Sequence, residues 1–556
     1  MALSLVIGAV VGLVVVEFIR VTTGLAAWFF PPNRSEWRRI IVPVLGALGS
    51  GYLLYRYFPN ARGSGIPQTK AALYIRDGYI RLHTVVGKFV CCSMSLASGI
   101  SLGREGPSVQ IGAGIASIFG RRFRMSADQV KALIPVGGAA ALAAAFNTPI
   151  AAVLFSLEEI VGDLHAPVLG SVVLSSATSW IVLHLLLGDQ PLFHVPIYQL
   201  VSPWEFLAYA VLGIAGGVAS AAFTRLLLSL RKRFLALPAR TAWAHPAVGG
   251  LTVGVMGFFL PDLLGVGYPT VDKVLGGVMV FKIVLLLAIL KLIATAVCYA
   301  SGNAGGIFGP SLFMGAMLGA AVGHVAHTVA PGHTATAGAY ALVGMGTVFA
   351  GTIRTPFTSV IMIFEVTRDY SIIVPLMLSN LIAFFISHRL QHEPVYDALA
   401  QQDGIHLPTG GNRAVSTRFR VAAVMHPASE VMPLSIPTSQ ARERAGTAPR
   451  VIVGDGRLAQ VDVAILDAAI ARGEADAPLS SVIPGEILRA PDPGEGLPHL
   501  HADHTLDMAL QRMSDTHRDV LPVVSREDLR KILGVVTLGD VLAAYGVTGA
   551  VKLDSG

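Results

Sequence analysis

"REGPSVQIGAG", residues 104–114, returns as "IFGPSLFMGAM" at 307–317, with Gly-Pro-Ser at the same place and an offset of 203 residues. A second stretch, "FNTPIAAVLFSLEEI" at 146–160, returns as "IRTPFTSVIMIFEVT" at 353–367, sharing Thr-Pro and setting Glu158 against Glu365 at an offset of 207. Ordered matches at a nearly constant offset mark an internal duplication. The copies are interrupted ones. Gly-Pro and Asn-Thr-Pro cut the apolar runs into pieces of about 10 to 15 residues, too short to cross ~30 Å of hydrocarbon. Broken helices at membrane depth survive only where they are buried in protein or line a polar cavity. Short broken segments at matching places in two halves point to a transporter or channel, and to its substrate site.

Composition agrees. Of 556 residues, 53% are hydrophobic and 14% charged, against about 25% charged in soluble domains; the mean hydropathy is +0.63. The chain is therefore an integral, multi-pass membrane protein. Its opening, "MALSLVIGAVVGLVVVEFI", has no basic leader and no small-residue cleavage site, so it reads as a first membrane helix. Charge is uneven. Residues 1–392 hold 26 Lys and Arg against 14 Asp and Glu, whereas residues 393–556 hold 15 against 21. A basic membrane part is thus followed by a charged, soluble part. The net charge of +6 belongs to membrane loops, and no Arg/Lys stripe interleaved with aromatics marks a nucleic-acid partner. Cys91, Cys92 and Cys298 all lie in apolar runs and read as small buried thiols, neither a disulfide framework nor a metal site.

Three stretches share a grammar: "GSGIPQ" at 63–68, "GREGPS" at 103–108 and "GIFGPS" at 306–311. Each is a glycine-rich turn, then a proline, then an apolar run. Proline suits a first helical turn, so helices are predicted to start near Pro67, Pro107 and Pro310. Singly, each motif is equally a tight turn between packed helices. Together, they supply three helix N-termini, each with free N–H groups and roughly half a positive charge. Such ends hold an anion without a full buried cation, and Ser64 adds a hydroxyl. Glu105, just ahead of the Pro107 helix, is a carboxylate that can take the anion's own seat as a tethered competitor. Burial disfavours its charge and helix N-termini favour it, so a proton can release it. Glu158 recurs as Glu365 and reads as structural. Glu159 aligns with Val366, and that asymmetry makes it the candidate for proton relay.

At these residues the sequence resembles the CLC family of chloride channels and chloride/proton antiporters. Ser64-Gly65-Ile66-Pro67, Gly103-Arg104-Glu105-Gly106-Pro107 and Gly306-Ile307-Phe308-Gly309-Pro310 match its three anion-pathway motifs in order, and "PVYDAL" at 394–399 resembles the stretch bearing its inner tyrosine, here Tyr396. The resemblance implies an all-α polytopic fold of inverted repeats with broken helices, at residues 1–400, the repeats covering about 1–190 and 203–390. It implies a homodimer with one pore per subunit, in a bacterial inner or plasma membrane. Chloride would bind along Ser64, Gly65, Ile66, Pro67, Gly103, Arg104, Gly106, Pro107, Ile307, Phe308 and Tyr396. Glu105 would be the gating glutamate and Glu159 the inner proton glutamate, which favours chloride/proton antiport over a passive channel gated by voltage or pH. Serine at 64 resembles the chloride-selective members.

Past a polar linker at 401–420, "HTLDMALQRMSDTHRDVLPVVSREDLRKILGVVTLGDVLAAYG" at 504–546 alternates helix, strand, turn, strand and helix. It resembles a CBS module, spanning 486–548, with a degenerate partner at 421–485. The pair implies a small α/β cytoplasmic domain. Such pairs often bind adenine nucleotides, and Thr537 and Asp540 match the ribose-binding pattern, although Asp540 is equally a helix N-cap. His501 and His504 read as surface residues. No cofactor is required for transport. No H-E-x-x-H pair or serine–base arrangement appears in the sequence, so the chain is read as a transporter of chloride and protons and not as an enzyme.

Overall fold

The structure, a computed structural model, describes residues 1–31, 35–164, 167–189, 191–195, 200–405, 407, 420–427, 431–446, 450–453, 459–484, 498–516, 518–528 and 531–544. Its contacts divide the chain into two units, Met1–Asp403 and Gly404–Gly556.

The first half of the membrane unit comprises α1 (Ala2–Phe29), α2 (Arg38–Arg56), α3 (Ile66–Tyr74), α4 (Leu82–Ala97), α5 (Glu105–Arg122), α6 (Ala127–Phe146), α7 (Pro149–Phe155) and α8 (Leu169–Leu187). The second comprises α9 (Glu205–Leu235), α10 (Pro246–Phe259), α11 (Tyr268–Leu275), α12 (Phe281–Ala300), α13 (Phe308–Val329), α14 (Ala337–Ile353), α15 (Pro356–Thr367) and α16 (Ile373–Leu390), followed by α17 (Val395–Gln402). Among the described residues, seven helices are long and apolar enough to span a membrane. Helices α3, α7 and α11 have 9, 7 and 8 residues. At ~1.5 Å per residue they cannot. Leucines, valines and phenylalanines stand exposed along the long helices, while Lys70, Lys88, Glu105, Glu205 and Lys291 are buried. That distribution suits a surface facing lipid and an interior facing polar cargo.

The breaks are cut by the residues the sequence marks. Helix α6 ends on Asn147 in the left-handed region (φ 59°), and Thr148 leads to Pro149 at the first position of α7. In the other half, α14 ends on Arg354 (φ 69°), and Thr355 leads to Pro356 of α15. The long helices pack through matched glycines. A Cβ on Gly112 would stand 2.3 Å from the Gly137 carbonyl oxygen, and one on Gly315 would stand 2.2 Å from that of Gly344. Close backbone approach of this kind is what small residues allow in membrane interfaces.

The halves also cap each other. Glu158 accepts from the Phe357 and Thr358 amides (3.3 and 2.8 Å) and the Thr358 hydroxyl (2.7 Å), at the start of α15. Glu365 accepts from the Ile150 and Ala151 amides (2.8 and 2.7 Å), at the start of α7. Two equivalent residues each serving the other's helix is the reciprocity of a two-fold relation. The two halves are thus matched repeats, and the structural reading of Glu158 acquires a mechanism.

The second unit is α/β. Its helices are α18 (Thr438–Ala445), α19 (Val463–Ala471), α20 (Leu479–Val482), α21 (Leu506–Thr516) and α22 (Leu538–Ala544). Its strands are β1 (His426–Pro427), β2 (Arg450–Val453), β3 (Ala459–Asp462), β4 (Val520–Val524) and β5 (Ile532–Thr537). One sheet runs β1-β5-β4, all antiparallel, with Val520 opposite Thr537; β2 and β3 form a separate hairpin. Two apolar clusters result, one around Val451, Val461 and Leu466 and one around Leu506, Leu521 and Val536. Most of the expected 401–420 linker lies outside the described residues; Gln401 and Gln402 end α17.

Two expectations are corrected here. His501 and His504 are not surface residues: each is 4% exposed. The His501 Nδ1 meets the Val524 carbonyl (3.0 Å), His504 Nδ1 accepts from the His501 amide (3.2 Å), and their rings lie 4.9 Å apart. Backbone partners allow these imidazoles to be buried. The second correction concerns Glu105, which is the first residue of α5 rather than lying ahead of it.

Candidate functional site

The three glycine-proline motifs meet. Gly103 and Gly306 exchange backbone hydrogen bonds, each 2.7 Å from nitrogen to oxygen. A Cβ on Gly65 would stand 2.6 Å from the Gly106 oxygen, one on Gly106 would stand 2.6 Å from the Ser64 oxygen, and one on Gly306 would stand 3.2 Å from the Gly106 nitrogen. The starts of α3, α5 and α13 are thereby brought together. Gly65 is left-handed (φ 103°), a conformation only glycine takes cheaply. Below it, buried Lys88 gathers the Ala61 and Gly63 carbonyls (2.9 and 2.8 Å), and Tyr299 accepts from the Ser64 amide (3.2 Å). That leaves the Ser64 hydroxyl without a partner among the described residues; the Tyr396 hydroxyl on α17 is in the same condition. Both residues are fully buried. Buried hydroxyls are rarely left unpaired in a folded protein.

Glu105 is fully buried. One carboxylate oxygen, Oε2, accepts from the Gly309 amide (3.2 Å) at the start of α13; the other, Oε1, accepts from the Tyr268 hydroxyl. Room for it is made by two glycines: a Cβ on Gly103 would stand 2.2 Å from Oε2, and one on Gly309 3.3 Å from either oxygen. The first amides of a helix have no carbonyl one turn back, so a carboxylate there occupies an anion's place. Arg104, expected among the residues of the chloride path, sets its guanidinium 5.4 Å from the centre of the Tyr268 ring. Ile307 and Phe308 are buried at the same helix start, with Phe308 wedged among Phe146, Phe155 and Phe349 at ring separations of 4.9, 5.2 and 4.4 Å. Gly65 packs against Gly106, and Gly306 against Gly106 and Pro107; Ile66 and Pro67 open α3.

Glu159 sits in a single π-helical turn, Ser156–Val161, continuing α7. Its carboxylate is 2.8 Å from Lys70 Nζ, which is also 2.5 Å from Asp397. Sequence reasoning missed Lys70, Asp397 and Tyr268. A lysine inside the apolar run "IPQTKAALYI" was the available signal for the first. Tyr268 had a weaker one, in "VGYPT". In the second unit, Thr537 caps α22 and Asp540 is the third residue of that helix. The Asp540 carboxylate accepts from the Thr537 amide and hydroxyl (3.0 and 2.5 Å), and the Asp540 amide donates back (3.2 Å). This is a capping box, with Thr537 rather than Asp540 at the cap.

A family model described as voltage gated chloride channel matches residues 45–388. The chain belongs to the CLC family. A second model, CBS domain, matches residues 493–546. Among curated relatives, a ClcB-like chloride channel protein of Ralstonia nicotianae is 34% identical over 382 residues, covering 67% of this chain and 88% of that protein. The H(+)/Cl(−) exchange transporter ClcA of Vibrio campbellii is 32% identical over 421 residues, 71% of this chain and 88% of the other. Among solved structures, a slow cyanobacterial Cl−/H+ antiporter superposes with a TM-score of 0.67 at 26% identity, covering 72% of this CLC chain and 97% of its own. The family that the three motifs resembled is the one matched, and the CLC fold with its C-terminal CBS region is the architecture described above.

Proposed function

We propose that this CLC protein exchanges chloride for protons, with Glu105 as the gate and Glu159 as the inner proton carrier. The observation that carries the reading is the seat of Glu105, whose carboxylate lies on the Gly309 amide at the start of α13. Chloride wants the same seat. A proton removes the glutamate's charge and with it the attraction to the helix end, so the charged carboxylate and chloride are exclusive occupants of one place and protonation yields the seat to chloride. Further in, the unpartnered Ser64 and Tyr396 hydroxyls, with the Ile307 and Phe308 amides, are the donors for a central chloride. Glu159 then takes the proton onward to the inner side. Relatives named as H(+)/Cl(−) exchangers support exchange. The chloride-channel name of one relative supports the alternative, a passive channel.

Liposomes separate the two. Under exchange, an imposed chloride gradient drives protons uphill, Glu159→Gln abolishes proton movement while chloride still flows, and Glu105→Gln does the same with the gate held open. Under passive conduction, wild-type protein moves no protons and reverses at the chloride equilibrium potential. The protein is proposed to work as a homodimer in a bacterial inner membrane, with the C-terminal unit cytoplasmic. Residues 421–485 and 486–548 form its CBS pair. Adenine nucleotide is the proposed ligand there, at Thr537 and Asp540. Those two are already bonded to each other, so binding exchanges one set of bonds for another. Equilibrium dialysis of the purified full-length protein against ATP tests this, and no binding would leave the pair as a helix cap.

A further inference from the structure

The first anion motif has a second copy in the other half of the membrane unit. Ser64-Gly65-Ile66-Pro67 is answered 202 residues later by Val266-Gly267-Tyr268-Pro269. Gly267, like Gly65, is left-handed (φ 89°) and starts a short proline-led helix, α11. Lys291, 203 residues after Lys88, is likewise buried and gathers the Leu263 and Gly265 carbonyls (3.2 and 2.6 Å) just ahead of that turn. The same device is built twice, and the difference between the copies is informative. Valine replaces the serine, removing the hydroxyl that would face an anion. Tyrosine replaces Ile66, placing a hydroxyl elsewhere: on Oε1 of Glu105.

The Tyr268 ring is held in place. Phe193 meets it edge-on at 5.4 Å between centroids, and the Arg104 guanidinium lies 5.4 Å from its centre. The ring, Arg104, Val266 and Gly267 line a cavity of about 410 Å³, so the pair of groups around Glu105 faces open space rather than packed core. Glu105 therefore has one donor per oxygen, Gly309 on one side and Tyr268 on the other. The Gly309 donor is the seat that chloride would use. The Tyr268 donor adds nothing to chloride binding at that amide; it only holds the glutamate.

We propose that Tyr268 is a latch, a positioning residue whose hydroxyl keeps Glu105 in its occluding pose and so sets how readily the gate opens. This rests on the reading of Glu105 as the gate. A hydrogen bond to a carboxylate is roughly twice as strong as one between neutral groups. Protonation of Glu105 thus weakens the latch at the moment it lifts the charge, and the two effects act in the same direction. The second repeat, having no gating glutamate of its own (Phe308 stands there), contributes the catch for the first repeat's.

The test is Tyr268→Phe in the full-length protein reconstituted in liposomes. Phenylalanine keeps the ring against Phe193 and Arg104 and removes only the hydroxyl. Chloride turnover is expected to rise several-fold, up to about tenfold, since a hydrogen bond to a charged group is worth on the order of 10-fold or more in an equilibrium. The chloride-to-proton ratio is expected to stay unchanged. In a Glu105→Ala background the same substitution is expected to do nothing, because there is no carboxylate to hold. Unchanged or slower turnover in Tyr268→Phe, or an equal gain in the Glu105→Ala background, would overturn the latch. Proton coupling that survives in Glu105→Ala would overturn the gate itself, so the two failures are told apart.

Discussion

Lys70 is 1% exposed and serves two carboxylates, Glu159 at 2.8 Å and Asp397 at 2.5 Å. It is carried by the helix that follows the Ser64 motif, while Asp397 follows Tyr396 on α17, so one ammonium ties together both hydroxyl-bearing elements and the proton-carrier candidate. Removing one partner of a buried ion pair costs about 3–5 kcal/mol because the remaining charge stays buried. The Asp397 side chain is 23% exposed, which places the cost of losing its share lower. Lys70→Met is accordingly expected to lower the melting temperature of the purified protein and to reduce proton flux more than chloride flux. Adding Glu159→Gln to that variant is expected to restore part of the stability, since the uncompensated charge is then gone. A thermal-unfolding double-mutant cycle reads this as a coupling above about 1 kcal/mol; simple additivity would mean that the pair is not energetically linked. Glu159 was legible in the sequence because its repeat partner is valine. Lys70 was not, because its partners lie 89 and 327 residues away and no local pattern reports such neighbours.

At the scale of helices, the reciprocal caps make a sharper prediction. Glu158 and Glu365 each accept two amides of a proline-started helix in the opposite half. Loss of a capping carboxylate costs about 0.5–2 kcal/mol, with the dipole adding to it. Glu158→Ala and Glu365→Ala are each expected to lower the melting temperature, with the glutamine variants falling between because they keep an acceptor without the charge. The two are not expected to be equivalent in function. Glu365 steadies α7, which runs directly into the π-helical turn holding Glu159, so Glu365→Ala is expected to impair proton movement more than chloride movement. Equal loss of both fluxes would count against that route. The glycine contacts are less forgiving. A Cβ on Gly112 or Gly315 would stand 2.3 or 2.2 Å from a carbonyl oxygen, so Gly112→Val and Gly315→Val are expected to yield no monodisperse protein in detergent size-exclusion chromatography. Helix starts were readable from their prolines, and the breaks from Asn-Thr-Pro and Arg-Thr-Pro. The cross-caps were half readable. Alignment of Glu158 with Glu365 showed that the position mattered in both halves, but only the folded chain shows which helix each one serves.

Across the whole molecule, the sequence divided cleanly into an apolar basic part and a charged acidic part because their compositions differ, and the family motifs then set the fold of the first. The second part was harder. His501 and His504 sit among polar neighbours in sequence, and nothing in that spacing marks them as interior; their burial depends on the Val524 carbonyl and on each other. The burial has a pH consequence. Desolvation pushes His501 from the usual histidine range down to about 4, with Arg526 and His499 adding to it while the Val524 carbonyl and Asp503 work against it. His504 is pushed down as well, by burial first and then by Arg526, His501 and Arg512. In the folded unit both imidazoles are held neutral. Above about pH 6.5 the unfolded chain is neutral too and the stability is fully present; as pH falls from about 6.5 towards about 4 the unfolded state takes up protons first, and stability is lost. For His501 alone the loss amounts to on the order of 3 kcal/mol. Protection factors in hydrogen exchange of the full-length protein, taken relative to the intrinsic exchange rate at each pH, are therefore expected to fall through α21 and β4 between pH 7 and pH 5, while those of the buried helices α13 and α14 hold. His501→Asn, which has no proton to take up over this range, is expected to flatten the part of that dependence owed to this residue. Protection factors in α21 and β4 that do not change with pH in the wild-type chain would show that these imidazoles do not govern the stability of the unit.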